Sequence, residues 1–129
     1  MKIIGESYRD ATRLEHMQQA IRRILSTAVG LTRDQLYLDD IATRALMYDF
    51  TVLGEAANNI SEAYCSAHPE VPWSKIAGFR HKLIHDYAGV EYGVLWEVLQ
   101  TDIPVLKPLI DDLVSRLPPP EECSDLDKF

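Results

Sequence analysis

The stretch FRHKLIHDY, residues 79–87, gathers an arginine, a lysine, two histidines, an aspartate and a tyrosine into nine positions. A histidine such as His85 moves protons near neutral pH, and an arginine such as Arg80 holds a phosphate and stabilises charge building on it. Together they suit cleavage of a phosphodiester without a metal, and RNA brings its own nucleophile in the 2′-hydroxyl. At about 100° per residue, His81 and His85 fall on one side of a helix, whereas Arg80, Ile84 and Tyr87 fall on another. Convergence of Arg80 with His85 therefore needs an irregular helix start near Arg80 or two copies packed about a twofold axis.

Other assignments compete for the same residues. Arg80 and Lys82 could pair with surface acids while the histidines cap or pack, and Tyr87 could be a half-buried aromatic at a helix end. His81 and His85 also have the i, i+4 spacing of zinc-binding helices, but Lys82 stands where H-E-x-x-H carries its glutamate. His16 and His68 have no spacing that supplies a third ligand, so neither a metal nor a cofactor is expected. Asp86 could orient a histidine of a partner chain or simply be solvated.

The elements that must position this stretch are helical. Proline and glycine punctuate the chain, and the segments between them repeat at threes and fours rather than twos, which predicts an all-α fold. Ser7 with Asp10 resembles a capping box, and Leu14, Met17, Ile21, Ile24, Leu25 and Ala28 follow in helical register until Gly30. Thr32 with Gln35 repeats the start signal, and from Ile41 the series Ala45, Tyr48, Val52, Ala56, Ile60 marks one apolar face. A further helix begins near Trp73 or Ser74, buries Ile76, Phe79 and Leu83, and runs to Gly89, carrying the opening stretch. The last helical region has a break or kink at 101–104, where Asp102 can cap and Pro104 fits a first turn. The tail, PPPEECSDLDKF, has too little apolar surface to offset the entropy of ordering it. The expected organisation is one helical domain over 1–117 and a flexible acidic tail over 118–129.

Composition narrows the partners. With 129 residues, 47% of them hydrophobic, the chain can build one core. Thirteen basic against twenty acidic residues leave a formal charge of -7, which argues against a general polyanion-binding surface, so any RNA contact must be local. Cys65 and Cys123 lie in no metal-like spacing and read as free thiols in a reducing cytoplasm. No apolar run approaches the roughly 18 residues of a membrane span.

Arg80-His81-Lys82-Leu83-Ile84-His85-Asp86-Tyr87 matches R-x-x-x-x-H-x-Y, and in this respect the chain resembles the HepT-like toxins of the HEPN superfamily. The resemblance extends through LGEAANNIS at 53–61, similar to the family's Gly-Glu-Ala helix, and onward from HPEVPW to the last helix. It implies a compact four- to five-helix bundle that forms a homodimer, two motifs lining one cleft, acting as a metal-independent endoribonuclease. By motif position it makes Arg80 and His85 the catalytic pair. It also implies a cognate MNT-type nucleotidyltransferase antitoxin that AMPylates the motif tyrosine, here Tyr87, blocking RNA by charge and bulk. Where the superfamily often has asparagine after the motif arginine, this chain has His81, which can still donate a hydrogen bond and serves as a supporting residue. Glu55, in the Gly-Glu-Ala stretch, is a partner for Arg80 or an exposed helix glutamate. The acidic net charge suits a selective substrate such as tRNA reached through a narrow basic cleft, which Arg9, Arg13, Arg22 and Arg23 could extend. The alternative is a non-catalytic helical module that binds a nucleotide or the transferase and keeps the motif for its scaffold.

Overall fold

A computed structural model describes residues 2–84 and 89–118, with side chains described from Tyr8 onward. Within them the chain forms α1 (Lys2–Ala28), α2 (Arg33–Leu38), α3 (Asp40–Asn58), α4 (Glu62–Ala67), α5 (Trp73–Ala77), α6 (Phe79–Leu83), α7 (Tyr92–Glu97), a π-helical turn (Val98–Asp102) and α8 (Ile103–Ser115). No strand occurs among the described residues, only an isolated antiparallel bridge between Ile84 and Val90. The all-α expectation holds.

Three long helices make the frame, with α1 packed against both α3 and α8. Leu14, Met17, Ile21 and Ile24 of α1, Leu46, Phe50 and Leu53 of α3, and Ile103 and Ile110 of α8 are excluded from solvent. Each such side chain removed from water contributes about 1.5–3 kcal/mol, which outweighs the modest helix propensities of these sequences. Phe79 joins this core edge-on to Phe50, ring centroids 5.7 Å apart, and so anchors the start of α6. The second start signal forms as read: Thr32 and Gln35 make a reciprocal capping box at the head of α2. Gly30, at φ 79°, ends the preceding turn in the left-handed region that glycine tolerates.

Four sequence expectations are corrected. First, α1 already runs from Lys2, so Ser7 lies inside the helix and does not cap it. Asp10 is instead buried and accepts hydrogen bonds from the backbone N–H of Ser61, at 2.8 Å, and from its hydroxyl, at 2.6 Å. Second, the buried stripe of α3 is rotated from the predicted one: Ala42, Leu46, Phe50 and Leu53 face inward, whereas Ile41 is 75% and Tyr48 67% exposed. The rotation follows from packing: the bulky Leu46, Phe50 and Leu53 turn toward α1 and the core, while the predicted Ala56 and Ile60 stay buried at the other end of the stripe. Third, the helix expected from 73 to 89 starts at Trp73 and buries Ile76, Phe79 and Leu83, but it breaks at Gly78 and ends at Leu83, where Ile84 turns extended. Fourth, the irregularity at 101–104 is a π-helical turn over Val98–Asp102 that delivers Pro104 into the first turn of α8. A proline there lacks the N–H that a continuous α-helix would require, and the wider turn absorbs the mismatch. The predicted tail from 118 falls almost wholly outside the described residues.

Candidate functional site: an open groove between α3 and α5–α6

Gly54 determines how close the two walls of this groove come. A Cβ at Gly54 would stand 3.3 Å from the carbonyl oxygens of both Ile76 and Ala77, so only a glycine lets the end of α5 settle against α3 without displacing backbone. Immediately afterwards the chain kinks at Gly78, whose N–H donates to the carbonyls of Ser74 and Lys75. A new short helix, α6, then starts with Phe79 plugged into the core and Arg80 and His81 left in solvent.

The result is an open groove of about 520 Å³. Thr51, Glu55 and Asn58 of α3 form one wall, Ser74 and Ala77 of α5 the floor, and Arg80 and His81 of α6 the other side. Of the sequence-predicted site residues, Arg80, His81 and Glu55 are thus brought together. The helical-wheel expectation that Arg80 and His81 lie on different edges gives way because α6 is a single turn on the rim, where consecutive residues both reach the depression. Among the described residues, Arg80 has no carboxylate within 4.0 Å, so its guanidinium is not consumed by an ion pair with Glu55. Arg9, Arg13, Arg22 and Arg23 do not line this groove.

His85, Asp86 and Tyr87 lie outside the described residues. The points where their segment leaves and rejoins the fold are defined: Ile84 N–H donates to Arg80 O at 3.0 Å, and Glu91 N–H donates to Leu83 O at 2.8 Å. Ile84 pairs with Val90, and Gly89 sits at φ 110°, a conformation costly for any side chain. The segment therefore departs one helical turn from Arg80. The i, i+4 zinc spacing of His81 and His85 required an uninterrupted helix, and α6 stops at Leu83. Among the described residues no three His, Cys, Asp or Glu side chains are placed to hold a metal ion.

Elsewhere, His16 is exposed, and His68 stands 3.5 Å from Glu70 with its ring 4.4 Å from that of Tyr64. Cys65 is a free thiol, and burial pushes its pKa up, away from reactivity; Cys123 lies outside the described residues. No helix among the described residues is long and apolar enough to cross a membrane. Asn58 and Ser74, which share the groove, were missed by sequence reasoning, since one more polar residue on a helix carries no signal. Gly54 did carry one, because a glycine inside a helical pattern marks close backbone approach.

A family model described as ribonuclease HepT-like matches residues 17–113. The chain belongs to the HepT-like ribonuclease family. The HepT-like span contains the Gly54-Glu55 wall, the α5–α6 kink and the whole of Arg80–Tyr87. Over 103 residues the chain is 33% identical to "Putative RNase TTE0752" of Caldanaerobacter subterraneus subsp. tengcongensis, covering 80% of this chain and 92% of that one. It is 36% identical over 94 residues to "Probable ribonuclease HepT" of Thermococcus cleftensis, covering 73% of this chain and 86% of the other. A third relative, "Putative RNase MJ0127" of Methanocaldococcus jannaschii, is 32% identical over 91 residues, 70% of this chain and 72% of that protein. No solved structure gives a significant match. The helical architecture is accordingly HEPN-like.

Proposed function

We propose that this HepT-like chain is a metal-independent endoribonuclease and the toxin of a toxin–antitoxin pair. The observation that carries the reading is the intact Arg80…His85…Tyr87 motif inside the family-matched span, with Arg80 exposed on an open groove.

Arg80 holds the scissile phosphate and offsets the negative charge that grows on its non-bridging oxygens. His85 takes the proton from the 2′-hydroxyl as the 2′-oxygen bonds to phosphorus. The bond from phosphorus to the 5′-oxygen breaks, and that oxygen receives a proton, leaving a 2′,3′-cyclic phosphate and a 5′-hydroxyl. His81, on the same groove as Arg80, supports this as a hydrogen-bond donor or second proton carrier. A homodimer sets two motifs in one cleft, and tRNA is the substrate that suits a chain of formal charge -7. An MNT-type nucleotidyltransferase silences the enzyme by adding AMP to Tyr87, placing phosphate charge and bulk beside the cleft.

The test is cleavage of total tRNA by purified protein in excess EDTA, its intact mass checked for adducts, beside Arg80→Ala and His85→Ala. Cleavage by the parent and its loss in both variants, by about 10²–10⁴-fold, is the expected result. Cleavage that survives His85→Ala removes that residue from the mechanism. Adduct-free protein that cuts nothing points to the non-catalytic binding module.

A further inference from the structure

The groove does not end at Asn58. On the far side of that residue lies a second depression of about 580 Å³, bounded by Cys65 and Ser66 of α4, Pro69 and Trp73. The two depressions share Asn58, Ser74 and Ala77. From Thr51 to Asn58 the α3 wall alone runs about 10 Å. Each compartment is of the size that takes one small organic ligand.

The shared rim carries hydrogen-bonding capacity that the fold does not use. Among the described residues, the Asn58 carboxamide and the Ser74 hydroxyl have no hydrogen-bond partner, although both are exposed at the junction. Neighbouring Asn59 contrasts with this, since its side chain donates to Glu55 O at 2.8 Å. Trp73 is held in place by a hydrogen bond from its indole N–H to His68 O at 2.9 Å, and by an edge contact with Tyr64. Lys75 is neutralised by Asp102 at 3.0 Å and Glu62 adds a negative charge, which leaves the depression without a free positive charge to hold a phosphate. Neutral, paired donor and acceptor groups next to a fixed aromatic suit a nucleobase better than a phosphate.

We propose that this second depression is a base-binding subsite for the nucleotide next to the cleaved phosphate, with Asn58 reading an adenine edge through its carboxamide. The proposal rests on the ribonuclease reading for its place in catalysis. A carboxamide offers one donor and one acceptor in the spacing that adenine N7 and N6 complement, and unpaired RNA leaves such edges open while aromatic side chains take the base faces. Phosphate held by Arg80 and base held at Asn58 would fix the strand's direction across the site, which a single cationic contact cannot do.

The experiment compares the parent with Asn58→Ala and Asn58→Asp, measuring cleavage of short single-stranded RNAs that carry A, G, C or U beside the cut bond. In parallel, anisotropy titrations use uncleavable 2′-O-methyl oligonucleotides of the same four sequences. Both variants should lose the parent's adenine preference, about tenfold in kcat/KM ratio and in relative affinity, with melting temperature as the control for folding. Parent cleavage with a base profile that Asn58→Ala and Asn58→Asp leave in place overturns the subsite and spares the ribonuclease. Adenine-selective binding that depends on Asn58, in a parent that cuts no RNA, upholds the subsite and removes the ribonuclease reading. A parent that neither cleaves nor discriminates among the four oligonucleotides overturns both.

Discussion

Among the described residues, no carboxylate competes for Arg80. It stands exposed, without an ion-pair partner among the described residues, on a groove it shares with Glu55 and His81. A guanidinium already paired to a carboxylate would bind phosphate only after losing that contact, whereas an unpaired one is available as a bidentate clamp. Arg80→Lys keeps the charge but loses the planar fork, and cleavage should fall by at least tenfold while the melting temperature stays put. Tyr87→Phe removes the hydroxyl proposed to accept AMP and leaves the motif's other groups in place. It should retain cleavage and show no mass increment after incubation with the transferase and ATP, whereas the parent gains mass and loses activity. A Phe variant still silenced by the enzyme would move the modification elsewhere.

At the scale of elements, the site depends on two glycines and a helix cap. Gly54 allows α5 to rest on α3, and a valine there would push on the carbonyls of Ile76 and Ala77, 3.3 Å from its Cβ. Gly54→Val should cost about 1–3 kcal/mol in chemical denaturation, and should lower cleavage further than stability because the groove wall moves. Gly89, at φ 110°, leads into Val90, which bridges to Ile84. Gly89→Ala is expected to cost about 1–2 kcal/mol through backbone strain alone, since a Cβ there meets nothing within 4 Å. An alanine variant as stable as the parent would show that the backbone at Gly89 relaxes without cost. Asp39 accepts from Ala42 N–H at 2.9 Å and so fixes where α3 begins.

For the whole molecule, two carboxylates shape how stability responds to pH. Hydrogen bonds from Lys107 and Gln18 hold Asp111 below the usual carboxylate range, tying α8 to α1. A depressed pKa of this kind stabilises the fold above about pH 4, and the contribution is lost as pH falls below that, through the folded value. Asp49 behaves oppositely: burial raises its pKa, only partly offset by Arg23, so its ionised form is a cost in the folded state. Asp49→Asn should therefore raise the melting temperature at pH 7, with the gain vanishing in acid where the parent's Asp49 is protonated. Equal melting temperatures for the two proteins at pH 7 would mean that Arg23 fully compensates the charge.

The sequence by itself determined the helical class, the heads of α2 and α5, the core residues of α1 and the chemical stretch, because these depend on local spacing, caps and turn residues. It misplaced the exposed face of α3 and ran one helix through Gly78 and Ile84. Packing of Leu46, Phe50 and Leu53 into the core selects the buried face of α3, and the gain from burying Phe79 while packing α5 on Gly54 outweighs continuing one helix. That Arg80, His81, Glu55 and Asn58 surround one groove was decided by tertiary packing alone. Glu55 and Arg80, 25 positions apart, line one groove only because two backbones meet where a side chain is missing.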